Sequence, residues 1–154
     1  PKAWIVGNIK SVKTQKESLM ETLLRGFDPS DAAVVLGSGK IDIPMDANGK
    51  ANIKNKKENK IEIHCKSKTG GLLVLSEIYY EPGWKAFVNG KETKIYQTNH
   101  ILRSVQIPPG NSEVVFMYDS LKWEKTRILS RVSLLIVLGL IGFLVFKEDR
   151  YKKK

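Results

Sequence analysis

The residues best suited to chemistry are few and far apart: one cysteine, Cys65, and two histidines, His64 and His100. Metal binding and nucleophilic catalysis both need such groups clustered at defined spacing. Neither histidine has a second ligand or a base at that spacing. The chain also lacks a nucleophile motif and a phosphate-binding loop. No metal, no cofactor and no catalytic residue is therefore expected. Cys65 falls at an inward position of a strand pattern and reads as a small buried hydrophobe. Asp46-Ala47-Asn48-Gly49 has the opening of a calcium loop, but Lys50 follows where a ligand is wanted and Lys57 stands where a bidentate glutamate belongs. It reads as a turn.

The aromatic residues form a tighter group. Tyr79, Tyr80, Trp84, Phe87 and Tyr96 are close in sequence, and rings on a sheet can act as platforms for sugars. Tyr79, Tyr80 and Trp84 are the candidate carbohydrate contacts. Against this, large aromatics bury the most area and pair across strands, so a core role competes, with Trp84 buried beside Asn89-Gly90. Arg103 shares strand parity with Val105 and Ile107, which places a charge on an inward face. An ion pair with Glu77 or Asp119 would satisfy it.

The elements that must position these residues are mostly strands. Beyond Asp28-Pro29 the sequence runs in short apolar segments broken by turn signals, the texture of an antiparallel β-sandwich. Candidate strands are 3–6, 32–36, 51–55, 60–67, 72–80, 84–88, 93–96, 101–107 and 113–118. In the segment 60–67, Ile61, Ile63 and Cys65 alternate with Glu62, His64 and Lys66, so one face is buried and the other wet. Leu72 to Leu75 is apolar on both faces, which predicts a central strand, with a helix as one cover. Asn89-Gly90 is a two-residue hairpin signal, and Pro108-Pro109-Gly110 marks another reversal. Thr14-Gln15-Lys16-Glu17 has capping-box spacing, so a short amphipathic helix is expected near 14–26. Leu19, Met20, Leu23 and Leu24 would form its core-facing stripe.

The net charge of +10 resembles a nucleic-acid signal until it is located. Residues 1–121 carry only +4, and the remaining +6 flanks an apolar run. No helix-turn-helix or ribonucleoprotein motif accompanies the charge, and no nucleic acid is expected as a partner. From Ile128 to Phe146 the sequence ILSRVSLLIVLGLIGFLVF holds about 19 residues, close to what a bilayer of about 30 Å hydrocarbon thickness requires. It reads as one transmembrane helix. Arg131 near its start can extend to the headgroups, and Trp123 and Tyr151 flank it as interfacial aromatics. The expected organisation is a β domain over 1–121 and a linker over 122–127. A span over 128–146 and a basic tail over 147–154 follow. Counting flanking charges leans only slightly towards a cytoplasmic tail. With Pro1 in first place and no leader before Trp4, a native start upstream is expected.

The stretch Leu73-Val74-Leu75-Ser76-Glu77-Ile78-Tyr79-Tyr80, followed by Pro82-Gly83-Trp84-Lys85-Ala86-Phe87-Val88-Asn89-Gly90-Lys91, closely resembles the carboxyl-terminal region of the bacterial YfhO family of membrane proteins. Asn99, Arg103-Ser104-Val105, Pro108-Pro109-Gly110 and Phe116-Met117-Tyr118 follow in the same order. Pro1-Lys2-Ala3-Trp4 and Phe27-Asp28-Pro29 resemble the segment just upstream. Glu81 is an insertion relative to that pattern, and Asn89 stands where Asp is frequent. The resemblance implies that Pro82, Gly83, Trp84, Asn89, Gly90 and Arg103 are its structural motif. It further implies a polytopic parent similar to GT-C glycosyltransferases, which move a sugar from a polyprenyl-phosphate carrier to a cell-envelope polymer. The catalytic acids of such enzymes lie on early loops, so this segment would be a non-catalytic extracytoplasmic domain in the bacterial cytoplasmic membrane. Its partners would be the lipid bilayer, the rest of the parent chain, and an envelope glycopolymer or lipid-linked sugar. The competing reading is a single-span module that binds carbohydrate or protein with no enzyme attached.

Overall fold

The structure is a computed structural model. It describes residues 2–37, 49–80, 82–119 and 121–152, and within the last stretch side chains are described over 126–141. Asp46, Ala47 and Asn48 lie outside the described residues, as do Glu81 and the side chains of Trp123 and Tyr151. The chain divides into two compact units, Pro1–Tyr118 and Asp119–Lys154.

The first unit is mainly β and holds two sheets. One has six strands, in the order β1 (Ala3–Val6), β6 (Gly71–Ile78), β10 (Leu102–Ile107), β9 (Tyr96–Thr98), β3 (Ala32–Leu36) and β2 (Asn8–Val12). The other has five, in the order β4 (Lys50–Lys57), β5 (Lys60–Ser67), β11 (Gly110–Tyr118), β7 (Trp84–Val88) and β8 (Lys91–Thr93). The five-stranded sheet is antiparallel throughout. The six-stranded sheet departs from expectation in one pair, because β2 and β3 run parallel. The chain between them contains α1 (Gln15–Leu23), which supplies the crossover that a parallel pair requires. β1 and β2 stand at opposite edges of this sheet yet are joined by Gly7 alone. Consecutive Cα atoms are only about 3.8 Å apart, so the sheet must curl until its two edges meet at that residue.

Two apolar clusters follow from this curl. Between the sheets, Leu73, Leu75, Val105 and Ile107 meet Ile61, Ile63, Cys65, Val114 and Phe116. Alternation along β5 sends its apolar side chains there and leaves Lys66 exposed. The other face of the six-stranded sheet closes on itself, with Leu72 and Val74 packed among Val6, Ala33 and Val35. β6 is therefore covered on both faces, as its continuous apolar run predicts. The second cover is the same sheet, since that cluster includes no residue of α1.

The helix departs from expectation more sharply. Its capping box is present, with the Glu17 amide donating to Thr14 Oγ1 at 3.1 Å and the Glu17 carboxylate accepting from the Lys13 and Thr14 amides. Yet Leu19, Met20, Leu23 and Leu24 are exposed, and Ser18 is the buried residue of the element. Polar ties hold the helix. Lys10 pairs with Glu21 at 2.6 Å, and the Gln15 side chain donates to Gln97 at 2.9 Å. Those ties turn the Ser18 face inward, and the leucine stripe faces outward as a consequence.

The expected strand over 93–96 is also divided. Lys94 and Ile95 belong to no strand and carry the chain from β8 in one sheet to β9 in the other. The β7–β8 hairpin turns through Asn89 (φ 51°) and Gly90 (φ 79°), which link the Val88–Lys91 pair. Both residues take the left-handed conformation that a type I′ turn demands.

The second unit is α2 (Leu121–Lys152), 32 residues long and about 48 Å at 1.5 Å per residue. Among the described residues no helix is long and apolar enough to cross a membrane. The side chains of the expected span 128–146 are described only as far as 141, so its last part lies outside the described residues.

Candidate functional site

The aromatic group collects at one end of the sandwich. Trp84 opens β7 opposite Tyr118, the last residue of β11. Their ring centroids are 5.6 Å apart at an interplanar angle of 64°, an edge-to-face pair of the kind quadrupoles favour. Gly83 makes this possible. It sits at φ 88°, and a Cβ there would stand 2.6 Å from the Tyr118 ring, so a side chain would be both strained and obstructed. Pro82 beside it is exposed.

Arg103 closes the group from the opposite sheet. Parity does point it inward, and it is buried. The expected ion pair is absent, however: among the described residues Arg103 makes no salt bridge, and Glu77 pairs with Lys56 instead. Its guanidinium lies 4.2 Å over the Trp84 ring and 5.9 Å from that of Phe116. One amino group donates to the Ile78 carbonyl at 2.9 Å. Burial lowers its pKa and the nearby Glu77 charge acts in the other direction. Arginine is basic enough to keep its proton regardless. The flat cation is thus held by ring faces and one carbonyl, while among the described residues its Nε and second amino group are buried without a hydrogen-bond partner.

The candidate sugar contacts separate on inspection. Trp84 is partly buried against the inter-sheet core, and the guanidinium occupies one ring face. The Tyr79 amide donates to the Ile101 carbonyl at 2.7 Å, which ties the end of β6 to the turn before β10. Tyr80 is 54 % exposed. Tyr79, Tyr80 and Trp84 share a hollow of about 210 Å³ with Lys85, Glu92 and Lys94, below the roughly 300 Å³ at which ligand pockets begin. A wider hollow of about 760 Å³ runs past Asn89, Lys91, Gln106 and Pro108. The expected membrane-interface residue Arg131 is exposed on α2.

His64 lies in β5 and His100 in the turn between β9 and β10, and among the described residues no His, Cys, Asp and Glu side chains gather to hold a metal. Cys65 is buried in the inter-sheet core, which pushes its thiol up to about 12 and keeps it protonated and inert.

Tyr118, Phe116, Ile78 and Ile101 are the members of this group that sequence reading does not single out. Tyr118 is 34 positions from Trp84, and only the β7–β11 register brings them together. Compared with known families, residues 44–121 match the model described as "Bacterial membrane protein YfhO". That match takes in the five-stranded sheet, β6, β9, β10 and the whole aromatic end, and covers half of the chain. No curated protein and no solved structure matches the chain.

Proposed function

The chain belongs to the family of bacterial membrane protein YfhO, and on that premise we propose that it is a non-catalytic extracytoplasmic β domain followed by the last transmembrane helix of a polytopic parent. The observation that carries the reading is the family match over the sandwich, with an apolar helix directly after it. From Ile128 to Ile141 the described apolar side chains of α2 are about half exposed or more and surround the helix on every side. A helix apolar all round needs an apolar solvent or a protein interior. The bilayer supplies one, with Arg131 reaching back to the headgroups and Trp123 and Tyr151 at the two boundaries. The parent is a GT-C-like glycosyltransferase that uses a polyprenyl-phosphate sugar, and this domain bounds the acceptor side or braces the external loops. An end built from an edge-to-face aromatic pair and a stacked arginine suits a structural role.

The tests follow the steps of the proposal. The chain should remain with membranes after alkaline carbonate washing. A reporter active only outside the cytoplasm, fused after Lys154, should be silent, and strong activity there would overturn the topology. The purified chain should transfer no sugar from a lipid-linked donor. A parent lacking residues 1–118 should insert normally and transfer poorly, and full activity in that parent would overturn the accessory role.

A further inference from the structure

The end of the sandwich that holds Trp84 and Arg103 also exposes apolar side chains. Ile78 is 68 % exposed, Ile101 53 % and Tyr80 54 %. Strand register brings them near one another: Leu102 pairs with Ile78, and the Ile101 carbonyl accepts from the amide of Tyr79, which lies between Ile78 and Tyr80. None of the three is needed in either apolar cluster. Isolated exposed leucines or isoleucines need no explanation, but a contiguous group at one end of a domain does.

Chain connectivity supplies the explanation. β11 ends at Tyr118, within this same group, and α2 begins at Leu121. From Leu121 to Ile128 the helix rises about 10 Å, and the headgroup layer on each side of a bilayer is about 5 to 8 Å deep. Two residues of sequence separate the end of β11 from the helix read as a span, so this is the end of the domain that the chain tethers to the bilayer. The opposite end, with Lys68 and Asn111, is both polar and remote along every strand.

We infer that this end of the sandwich is an interfacial face that seats in the lipid headgroup layer, with Ile78, Tyr80 and Ile101 as the side chains that enter it. The inference rests on reading α2 as a span. Apolar side chains and a tyrosine at a bilayer surface suit the headgroup boundary, where rings with one polar end and one apolar face are favoured. The Arg103 stack behind them keeps the face rigid, because it ties the Ile78 carbonyl to Trp84 and Phe116.

The test uses the full chain in phosphatidylethanolamine and phosphatidylglycerol vesicles whose acyl chains are brominated near the headgroup. Cys65 is buried and does not compete for label. A bimane probe is placed singly at Ile78→Cys, Ile101→Cys, Lys68→Cys, Asn111→Cys and Leu135→Cys, all exposed positions where folding is undisturbed. Emission at 78 and 101 should fall about two-fold on brominated lipid while 68 and 111 stay unchanged, as for groups seated some 5 to 10 Å into the boundary. Probes at 78 and 101 that stay as bright as those at 68 and 111 would overturn the inference. If Leu135 is quenched in that case, the span stands and only the interfacial face is lost, leaving a protein segment as the occupant of these residues. If Leu135 is also unquenched, the span itself fails. Quenching at 78 and 101 without quenching at 135 would support the face and refute the span.

Discussion

Leu72, Leu73, Val74 and Leu75 in β6 are at most 1 % exposed, whereas Leu19, Met20 and Leu23 in α1 and Leu24 at its C-cap are 40–70 % exposed. The two runs are nearly the same in composition. The strand is hydrogen-bonded on both sides, by β1 and β10, and each of its faces meets a packed cluster. The helix is held by its cap and by polar ties to β2 and β9, and these select which face turns inward. Burial of an apolar run is thus decided by what surrounds the element, and apolar content alone does not specify it.

The contrast can be broken by substitution, beginning where the effect is largest. Leu73→Ala should destabilise the β domain by about 2 to 5 kcal/mol, since a fully buried leucine leaves a cavity between two sheets that cannot collapse freely. Chemical denaturation of the chain in detergent would measure it. Val74→Thr, nearly the same shape, should cost about 1 to 3 kcal/mol because its hydroxyl enters the second cluster with no partner. In the helix the order of importance should invert. Thr14→Ala removes the cap and should cost about 1 kcal/mol, whereas Leu23→Ser should change stability by less than about 0.5 kcal/mol. A larger loss for Leu23→Ser than for Thr14→Ala would mean that the stripe is covered in solution and would erase the contrast.

The smallest effect is one of pH. The Lys13 amide, then the Thr14 amide and hydroxyl, hold the Glu17 carboxyl below its ordinary range. A depressed carboxyl contributes fully above the unfolded value of about 4.3 and loses its contribution as pH falls through the lower folded value. Protection of the Lys13 and Thr14 amides, taken relative to the intrinsic exchange rate at each pH, should therefore fall only in acid below that value, and Glu17→Gln should abolish this acid dependence.

Much of the fold is legible in the residues themselves. The alternation of Ile61, Ile63 and Cys65 gives the face of β5, and Asn89-Gly90 gives the β7–β8 hairpin, because both are local effects of pleat and turn geometry. β2 is missed since Asn8, Ile9, Lys10 and Ser11 show no buried alternation, and Val12 alone is buried. It is an edge strand whose pairing with β3 is parallel and non-local. Thr93 to Tyr96 looks like one strand because no turn residue interrupts it, yet the chain changes sheets at Lys94 and Ile95. The aromatic group is legible in part: Tyr79, Tyr80 and Trp84 are close in sequence, while Tyr118 and Phe116 join only through strand register. The partner of Arg103 is misjudged for a related reason. Charge suggests a carboxylate, but the register supplies two rings and a carbonyl, and planar guanidinium accepts both.

The joint at Gly7 has a consequence for how copies of this chain could go wrong. By holding β1 against β6 and β2 against β3, one short N-terminal segment masks the open hydrogen-bonding edges of two strands at once. Were that segment to peel away, Leu72 to Leu75 would present a long apolar template with its amides and carbonyls bare, and so would Ala32 to Leu36. Exposed edges of this sort recruit any available strand. The most available one is the same segment from a neighbouring copy, so exchange of residues 3–12 between molecules is the misassembly that this architecture invites.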